Sequence, residues 1–406
     1  MPKLLQINIL SNYLSTGTIV EDISKVAQRR GWDTYVCYGR MAISGVNKEY
    51  RIGSKIESIW HYLENRFFDN EGLASRFATY RLIKYIKKIK PDVIHLHNIH
   101  DHYLNYRLLF NYLNQTDIKV VWTFHDFWAI TGHCHYFIKA NCDLWMTGCH
   151  DCPLQHDTVN SILDRSKRNY ELKKWVFSNS RNLTIVPVSF WVGGKVEKSF
   201  LSNKHIEVIP NGIDTSFYHY REGINCSLLP QNKFIILGVA VGWDFGDRKG
   251  LDDYIKLSHL LRDDEIICLV GMSEDLSAKM PPNIIGIKRI NNKNIMRDIY
   301  SAADVLLSLS KAETFGMTIV EAQACGTPAI VYDNTAPPSL IINGKTGFVA
   351  KDNDVKDVYS KIQIIRKNGK DSYREACVKY VQENYDKNKN YSKYIDLYEN
   401  LINVAR

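Results

Sequence analysis

The chain has little of what an exported, membrane-spanning or nucleic-acid-binding protein needs. Its first residues, MPKLLQINIL, hold no basic segment leading into an apolar core, so no signal peptide is read there. No apolar run reaches the roughly 18 residues required to cross a bilayer, and no short-period repeat or low-complexity tract is present. Cysteine is sparse and odd in number, nine in 406 residues, which argues against a disulfide framework. Charge of one sign is never in large excess. The surplus of 52 basic over 44 acidic residues, +8, suits an anionic small molecule or lipid headgroup and falls short of a nucleic-acid signature. These absences predict a cytoplasmic protein, attached at most to the cytoplasmic face of a membrane.

What is present reads as α/β. Strand runs such as KLLQINIL, TYVCYG, DVIHLHN, KVVWTFHD and TIVPVS alternate with helical stretches, a pattern that makes parallel strands covered by helices on both faces. Near Ile206 the pattern restarts, after the turn signals of IEVIPNGID, and continues through FIILGVAVG, EIICLVG, DVLLSLS, TPAIVY and GFVA. The length also suits two domains rather than one core. We read a first domain over 1–186 with a cysteine-rich insertion at 132–156, an interdomain segment at 187–212, and a second domain over 213–385. A C-terminal helix over 386–406 closes the second domain or packs back on the first. In open α/β sheets ligands bind beyond the carboxyl ends of the strands, so two such domains facing each other predict a cleft.

Residues with chemical potential follow those strands. After DVLLSLS comes KAETFGMTIVEAQACG, a helix whose first turn, Phe315 to Thr318, offers backbone amides and the positive dipole end to an anion. Gly316 permits close approach to the backbone. Glu313 and Glu321 flank this turn, and carboxylates accept hydrogen bonds from sugar hydroxyls. An anion site between two acids fits a ligand that is both phosphorylated and polyhydroxylated, although capping and solvation would place acids there too. Arg248 and Lys249, on the glycine-bracketed loop GDRKG, have the charge to neutralise a diphosphate, or form a solvated basic turn. Gly17 precedes a helix after the first strand. His125 and Asp126 end the strand VVWTF, where a histidine binds a hydroxyl, handles a proton, or is held by a carbonyl as a structural group. The histidines 95, 97, 100 and 102 resemble a metal cluster but share one strand and its loop, and packing explains them better.

Together Gly17, TFHD, IPNGID, DRKG, GKTGFVA and the long stretch SAADVLLSLSKAETFGMTIVEAQACGTPAIV resemble the retaining glycosyltransferases of family 4, over nearly the whole chain. Within that family the likeness is to enzymes that build capsule, colanic-acid-type exopolysaccharide or O-antigen. The resemblance implies the GT-B fold: two doubly wound, Rossmann-like domains facing a central cleft. It implies transfer of a hexose from a UDP- or GDP-sugar to a glycan or lipid-linked oligosaccharide, with no cofactor for the chemistry. It also implies roles. Glu321 would hold the nucleotide ribose and Glu313 the donor sugar. Arg248, Lys249 and the amides of Phe315, Gly316 and Met317 would hold the diphosphate, with Thr318 in the same turn. Gly17 would line the donor side, and His125 with Asp126 would lie near the hexose. His125, Asp126, Lys249 and Glu313 are then the catalytic candidates. One departure is that Gly242-Trp243 stands where many members carry Gly-Arg, leaving Arg248 to supply that charge. No Asp-x-Asp metal motif of the GT-A kind ends a strand.

Two features lie outside that pattern. Cys134, Cys142, Cys149 and Cys152 have the number, and in part the spacing, of a structural zinc site, or are free thiols in a reducing cytosol. The basic stretch DRSKRNYELKKWVF, with Lys173, Lys174 and Trp175, is a candidate for peripheral contact with the inner membrane; the stretch YRLIKYIKKIK reads better as the solvated face of a packed helix. The alternatives are a sugar-nucleotide binder of the same fold without catalysis, and a zinc-stabilised nucleic-acid binder. The second is disfavoured because NCDLWMTGCHDCP holds acids and no Lys or Arg.

Overall fold

The computed structural model describes residues 1–224, 226–246 and 248–403. Asp247 of the DRKG motif and the last three residues of the expected C-terminal helix lie outside the described residues.

The chain divides into two compact units, Met1–Asn211 with Asn388–Arg406, and Gly212–Lys387. The first holds a parallel sheet in the order β3-β2-β1-β4-β5-β6-β7. Its strands are β1 (Lys3–Ser11), β2 (Asp33–Ala42), β3 (Lys48–Arg51), β4 (Val93–Leu96), β5 (Lys119–Phe124), β6 (Leu183–Pro187) and β7 (His205–Ile206). The second holds a parallel sheet ordered β10-β9-β8-β11-β12-β13. These strands are β8 (Phe234–Val239), β9 (Glu265–Val270), β10 (Ile284–Ile287), β11 (Val305–Ser308), β12 (Ala329–Tyr332) and β13 (Gly347–Ala350). All pairings are parallel, so helical crossovers must cover both faces, and the central strands are accordingly apolar throughout: Val93–Leu96 and Ala329–Tyr332 are buried at every position.

In each sheet the strand order reverses once, between β1 and β4 in the first and between β8 and β11 in the second. The crevice at such a switch point, beyond the carboxyl ends, is where doubly wound sheets bind ligands.

The boundaries differ from the sequence reading. Residues 187–212 are no linker: β7 pairs with β6 through Thr184–His205 and Ile185–Ile206, extending the first sheet by one strand. The final helix, Lys387–Asn403, buries Tyr391, Tyr394, Ile395, Leu397 and Tyr398 in the core of the first unit, against Ile23, Val26, Trp32 and Val121. It is held there by polar contacts as well. Tyr394 Oη lies 2.9 Å from Thr123 Oγ1, and Tyr398 Oη lies 2.6 Å from His95 Nδ1.

Candidate active site

In the second unit the switch point is built from the segments after β8 and β11. The first runs through Trp243, whose indole donates to the Val270 carbonyl at 2.9 Å, to Gly250 in the left-handed region at φ +79°. A Cβ on Gly250 would collide with the Leu309 carbonyl, so only glycine lets this loop lie against the end of β11. The main chain fastens the same approach, Lys311 N donating to the Arg248 carbonyl at 2.6 Å. Lys249 is thereby carried across, and its Nζ stands 2.7 Å from Glu313 Oε2, both side chains 22% exposed. Behind them Lys311 is paired with buried Asp253, which also accepts from Tyr332 Oη at 2.9 Å.

Glu313 is followed by buried Thr314 and Phe315, then by Gly316 at φ +114°, the N-cap of helix Met317–Ala324. The amides of Met317 and Thr318 belong to the first turn and have no intrahelical acceptor. The Phe315 ring packs inward, its centroid 5.7 Å from that of Tyr385, so only its backbone can serve a ligand. One turn into the helix Glu321 accepts from Tyr300 Oη at 2.8 Å and also from Tyr218. Burial lifts its carboxyl to about 7, the tyrosine hydrogen bonds opposing part of that rise. The second unit therefore pairs Lys249 with Glu313 ahead of the helix start at Gly316, Met317 and Thr318, with Glu321 further along that helix and the Arg248 carbonyl tied to Lys311 N.

In the first unit the carboxyl ends of β4 and β5 carry histidines, His97 and His125. His97 Nε2 meets Gln6 Oε1 at 2.9 Å and its Nδ1 meets His125 Nε2 at 3.1 Å, the two rings stacked. Burial holds His125 down at about 4, with Asp126 opposing the shift, so its imidazole is neutral at pH 7. Asp126 Oδ1 accepts from Trp128 N at 2.9 Å and its Oδ2 from His100 Nε2 at 2.8 Å, so both of its oxygens are engaged within the loop. Burial opposes the charging of His100, yet Asp126 and Asp101 win and hold it well above its usual range. Buried Glu71 completes the network, accepting from Trp128 Nε1 at 2.8 Å and from Asp101 N at 3.2 Å, with His135 at 3.5 Å.

Gly17 is not in a loop. It lies buried inside helix Leu14–Arg29, where an added Cβ would stand 3.2 Å from Leu10 Cβ and Asn12 N, and it serves the tight return from β1. Lys173 is likewise unavailable to a membrane. It is buried, donates to the carbonyls of Trp128 at 2.7 Å and Thr131 at 3.2 Å, and sits over the Trp128 ring.

Sequence reasoning missed Glu71 and His135, which have no local motif, and the helix Lys55–Phe68. That helix is inside out: it buries His61 and Asn65 and exposes Ile56 (79%), Ile59, Trp60 (65%), Leu63, Phe67 and Phe68. Its helical spacing was readable from the sequence. Among the described residues no helix is long and apolar enough to cross a membrane.

Side-chain groups close enough to share a cation are Glu71–His100–His135 and Asp69–His133–Asp164. In the first, Glu71 already takes hydrogen bonds from Trp128 and Asp101. In the second, Asp69 already accepts from His133 and from Arg165 N.

Comparison with known proteins places this architecture. The family described as Glycosyltransferase Family 4 matches residues 16–217, and that described as Glycosyl transferases group 1 matches residues 227–384. The fold is that of sucrose-phosphate synthase from Thermosynechococcus elongatus, with a TM-score of 0.75 at 16% identity over 100% of both chains. It is also that of Anabaena HepE, solved with UDP-glucose, with a TM-score of 0.64 at 14% identity over 97% of this chain and 99% of that one. By sequence the chain is 24% identical over 294 residues to the Escherichia coli (strain K12) protein WcaC, named for colanic acid biosynthesis, covering 69% of each. The two units thus define a glycosyltransferase of the GT-B class. Within it the chain belongs to family 4, its second unit being of the group 1 kind.

Proposed function

We propose that the chain transfers a hexose, with retention of anomeric configuration, from a UDP- or GDP-sugar to a glycan or lipid-linked oligosaccharide in the synthesis of a bacterial surface polysaccharide. The observation that carries this reading is the Lys249–Glu313 pair at the switch point, beside a helix start and one turn from Glu321. Glu321 takes the ribose hydroxyls, and the amides of Gly316, Met317 and Thr318 with Arg248 and Lys249 take the diphosphate. Glu313 is left facing the sugar. As the anomeric carbon–oxygen bond to phosphate breaks, negative charge grows on the leaving diphosphate, where two cations and a helix dipole stabilise it. The acceptor hydroxyl attacks from the same face, forms the new bond to the anomeric carbon and gives its proton to the departing phosphate oxygen. No step calls for a metal ion, since Lys249 and Arg248 supply the charge. His125, neutral at pH 7 at the carboxyl end of β5, is able to hydrogen-bond a hydroxyl of a ligand bound by the first unit. Resemblance to WcaC supports the surface-polysaccharide setting, and the HepE complex with UDP-glucose supports the donor class.

A lipid-linked acceptor brings the chain to a membrane on its cytoplasmic side. The exposed apolar face of helix Lys55–Phe68 supports this, continued by Phe77 and Tyr80 on the next helix. Beside it a groove of about 570 Å³ is lined by Arg76, Arg107 and Arg168, none of them in an ion pair among the described residues. Apolar side chains next to uncompensated arginines suit an anionic bilayer surface.

The test is a panel of nucleotide sugars with saccharide and lipid-linked acceptors, read by released nucleotide and by the anomeric configuration of the product. A chain that binds UDP or GDP yet releases neither from any donor is the non-catalytic binder instead.

A further inference from the structure

Three loops of the first unit meet around the ring of His100. Glu71 follows helix Lys55–Phe68, His100 lies in the loop after β4, and His135 in the long loop after β5. Each of the three offers one oxygen or nitrogen, and these atoms all lie within 4.8 Å of one another. Glu71 and His100 are buried, while His135 is 27% exposed and opens the group to solvent on one side. Cys134, Cys142, Cys149 and Cys152 do not converge in this way: among the described residues, no group this close contains a cysteine.

The donors are already held as metal ligands are. His100 Nε2 is fixed by Asp126 Oδ2 at 2.8 Å, whereas its Nδ1 is buried and makes no hydrogen bond of ordinary geometry, Asp101 Oδ2 standing 3.4 Å away. A ring fixed through one nitrogen by a carboxylate, with the other nitrogen left over, is the usual state of a ligating histidine. The other histidines of the same stretch are spent. His95 meets Thr123 and Tyr398, and His97 meets Gln6 and His125. Glu71 is oriented by Trp128 Nε1 at 2.8 Å and Asp101 N at 3.2 Å. A carboxylate has about four lone-pair sites, so two hydrogen bonds leave room for an ion and fix its direction. Between His135 Nε2 and Glu71 Oε2 the gap is 3.5 Å. That is long for a hydrogen bond. It matches the spacing of about 3.3–3.6 Å between two donors of one tetrahedral ion held at about 2.0–2.2 Å.

We propose that Glu71, His100 and His135 bind one Zn²⁺ through a carboxylate oxygen and two imidazole nitrogens, with water in the fourth position. Two nitrogens and one oxygen select a transition metal over Mg²⁺ or Ca²⁺, which take oxygen ligands. The ion replaces the proton that His100 Nδ1 otherwise carries; that proton goes to solvent, and both rings bind as neutral imidazoles. Its role is structural. It ties the three loops to one another and, through His100, to Asp126 beside His125. The ion takes no part in sugar transfer, which draws its charge from Lys249 and Arg248.

The test reads metal rather than turnover. The full chain, stripped with a chelator and titrated with Zn²⁺, should take up about one ion per molecule. Co²⁺ in its place should give visible bands without the intense near-ultraviolet bands of sulfur ligands. Asp126→Asn, which leaves all three ligands in place, should weaken Zn²⁺ binding about 10- to 100-fold, and His135→Ala, which removes one, by more. Cys149→Ser with Cys152→Ser should bind as the unaltered chain does. Should a variant not fold, the cobalt spectrum of the unaltered chain decides alone. No uptake of zinc, sulfur bands with cobalt, binding lost in the serine variant, or binding unchanged by His135→Ala would each overturn the proposal.

Discussion

The ammonium of Lys249 lies 2.7 Å from the carboxylate of Glu313, joining the loop after β8 to the segment after β11 at the point where the strand order of the second sheet reverses. A lysine so held is preorganised: the acid fixes its direction while the site is empty, and a diphosphate competes for it when the site fills. Lys249→Ala should lower kcat about 10²- to 10³-fold, the scale of losing one preorganised charge at a developing anion. Glu313→Gln should cost less in kcat, and the double variant should fall well short of the product of the two effects, because the residues act as a pair. Released-nucleotide kinetics on the three variants check this; independent, multiplicative losses would separate the two residues.

Glu321 gives a pH dependence with a definite sign. Its folded carboxyl titrates at about 7, above the ordinary value, so its protonated form is favoured by folding. That contribution to stability is complete below the unfolded value and is lost as pH rises through about 7. Ribose hydroxyls donate to the ionised form, so nucleotide affinity should rise over the same interval. Calorimetric titration with UDP or GDP from pH 5.5 to 8 should show tightening with pH, and Glu321→Gln should bind weakly with a flat profile.

His125 titrates at about 4, held down by burial, and stays neutral at working pH. The rate should therefore show no break between pH 5.5 and 8 that belongs to this ring. His125→Ala should lose about 10²-fold in kcat without changing the shape of the profile. A break near pH 6.5 that vanishes in the variant would make His125 a proton carrier instead.

The inside-out helix predicts membrane partitioning. Co-sedimentation with vesicles containing phosphatidylglycerol should capture the chain, and Trp60→Glu with Phe67→Glu should reduce capture about tenfold or more. Turnover on a soluble acceptor should be unaffected, since these residues lie outside the transfer site. Equal binding to uncharged vesicles would assign the contact to the apolar face alone.

Tyr398→Phe leaves His95 Nδ1 buried with its hydroxyl partner removed. The expected cost is about 1–3 kcal/mol, seen as a melting transition several degrees lower.

Much of this was legible in the order of residues, for physical reasons. Buried parallel strands need β-branched runs, and runs such as FIILGV and VLLS stand out whatever surrounds them. Lys249 and Glu313 were singled out because their segments directly follow strands, and the structure brings the two side chains to 2.7 Å. Other parts were hidden. Gly17 looked like a loop residue because helix Leu14–Arg29 begins at Leu14 with a left-handed φ of 53°, which no propensity announces. The contact of Asp126 with His100 was hidden because His100 comes from another strand's loop. Lys173 looked solvated because the carbonyls that bury it belong to residues 128 and 131. The helix Lys55–Phe68 was passed over because its apolar stripe was not weighed against polar positions that turned out to face inward.

The closing helix gives the chain an order of assembly. Residues 1–211 leave the ribosome first, but Thr123 and His95 must wait for Tyr394 and Tyr398, which are made only after the whole of the second unit. The second unit is, in effect, an insertion into the first. A nascent or prematurely terminated chain therefore holds one finished body and one open one, its apolar wall around Val26 and Val121 uncovered. Quality control that senses exposed hydrophobic surface has a built-in signal here that synthesis has passed Tyr398.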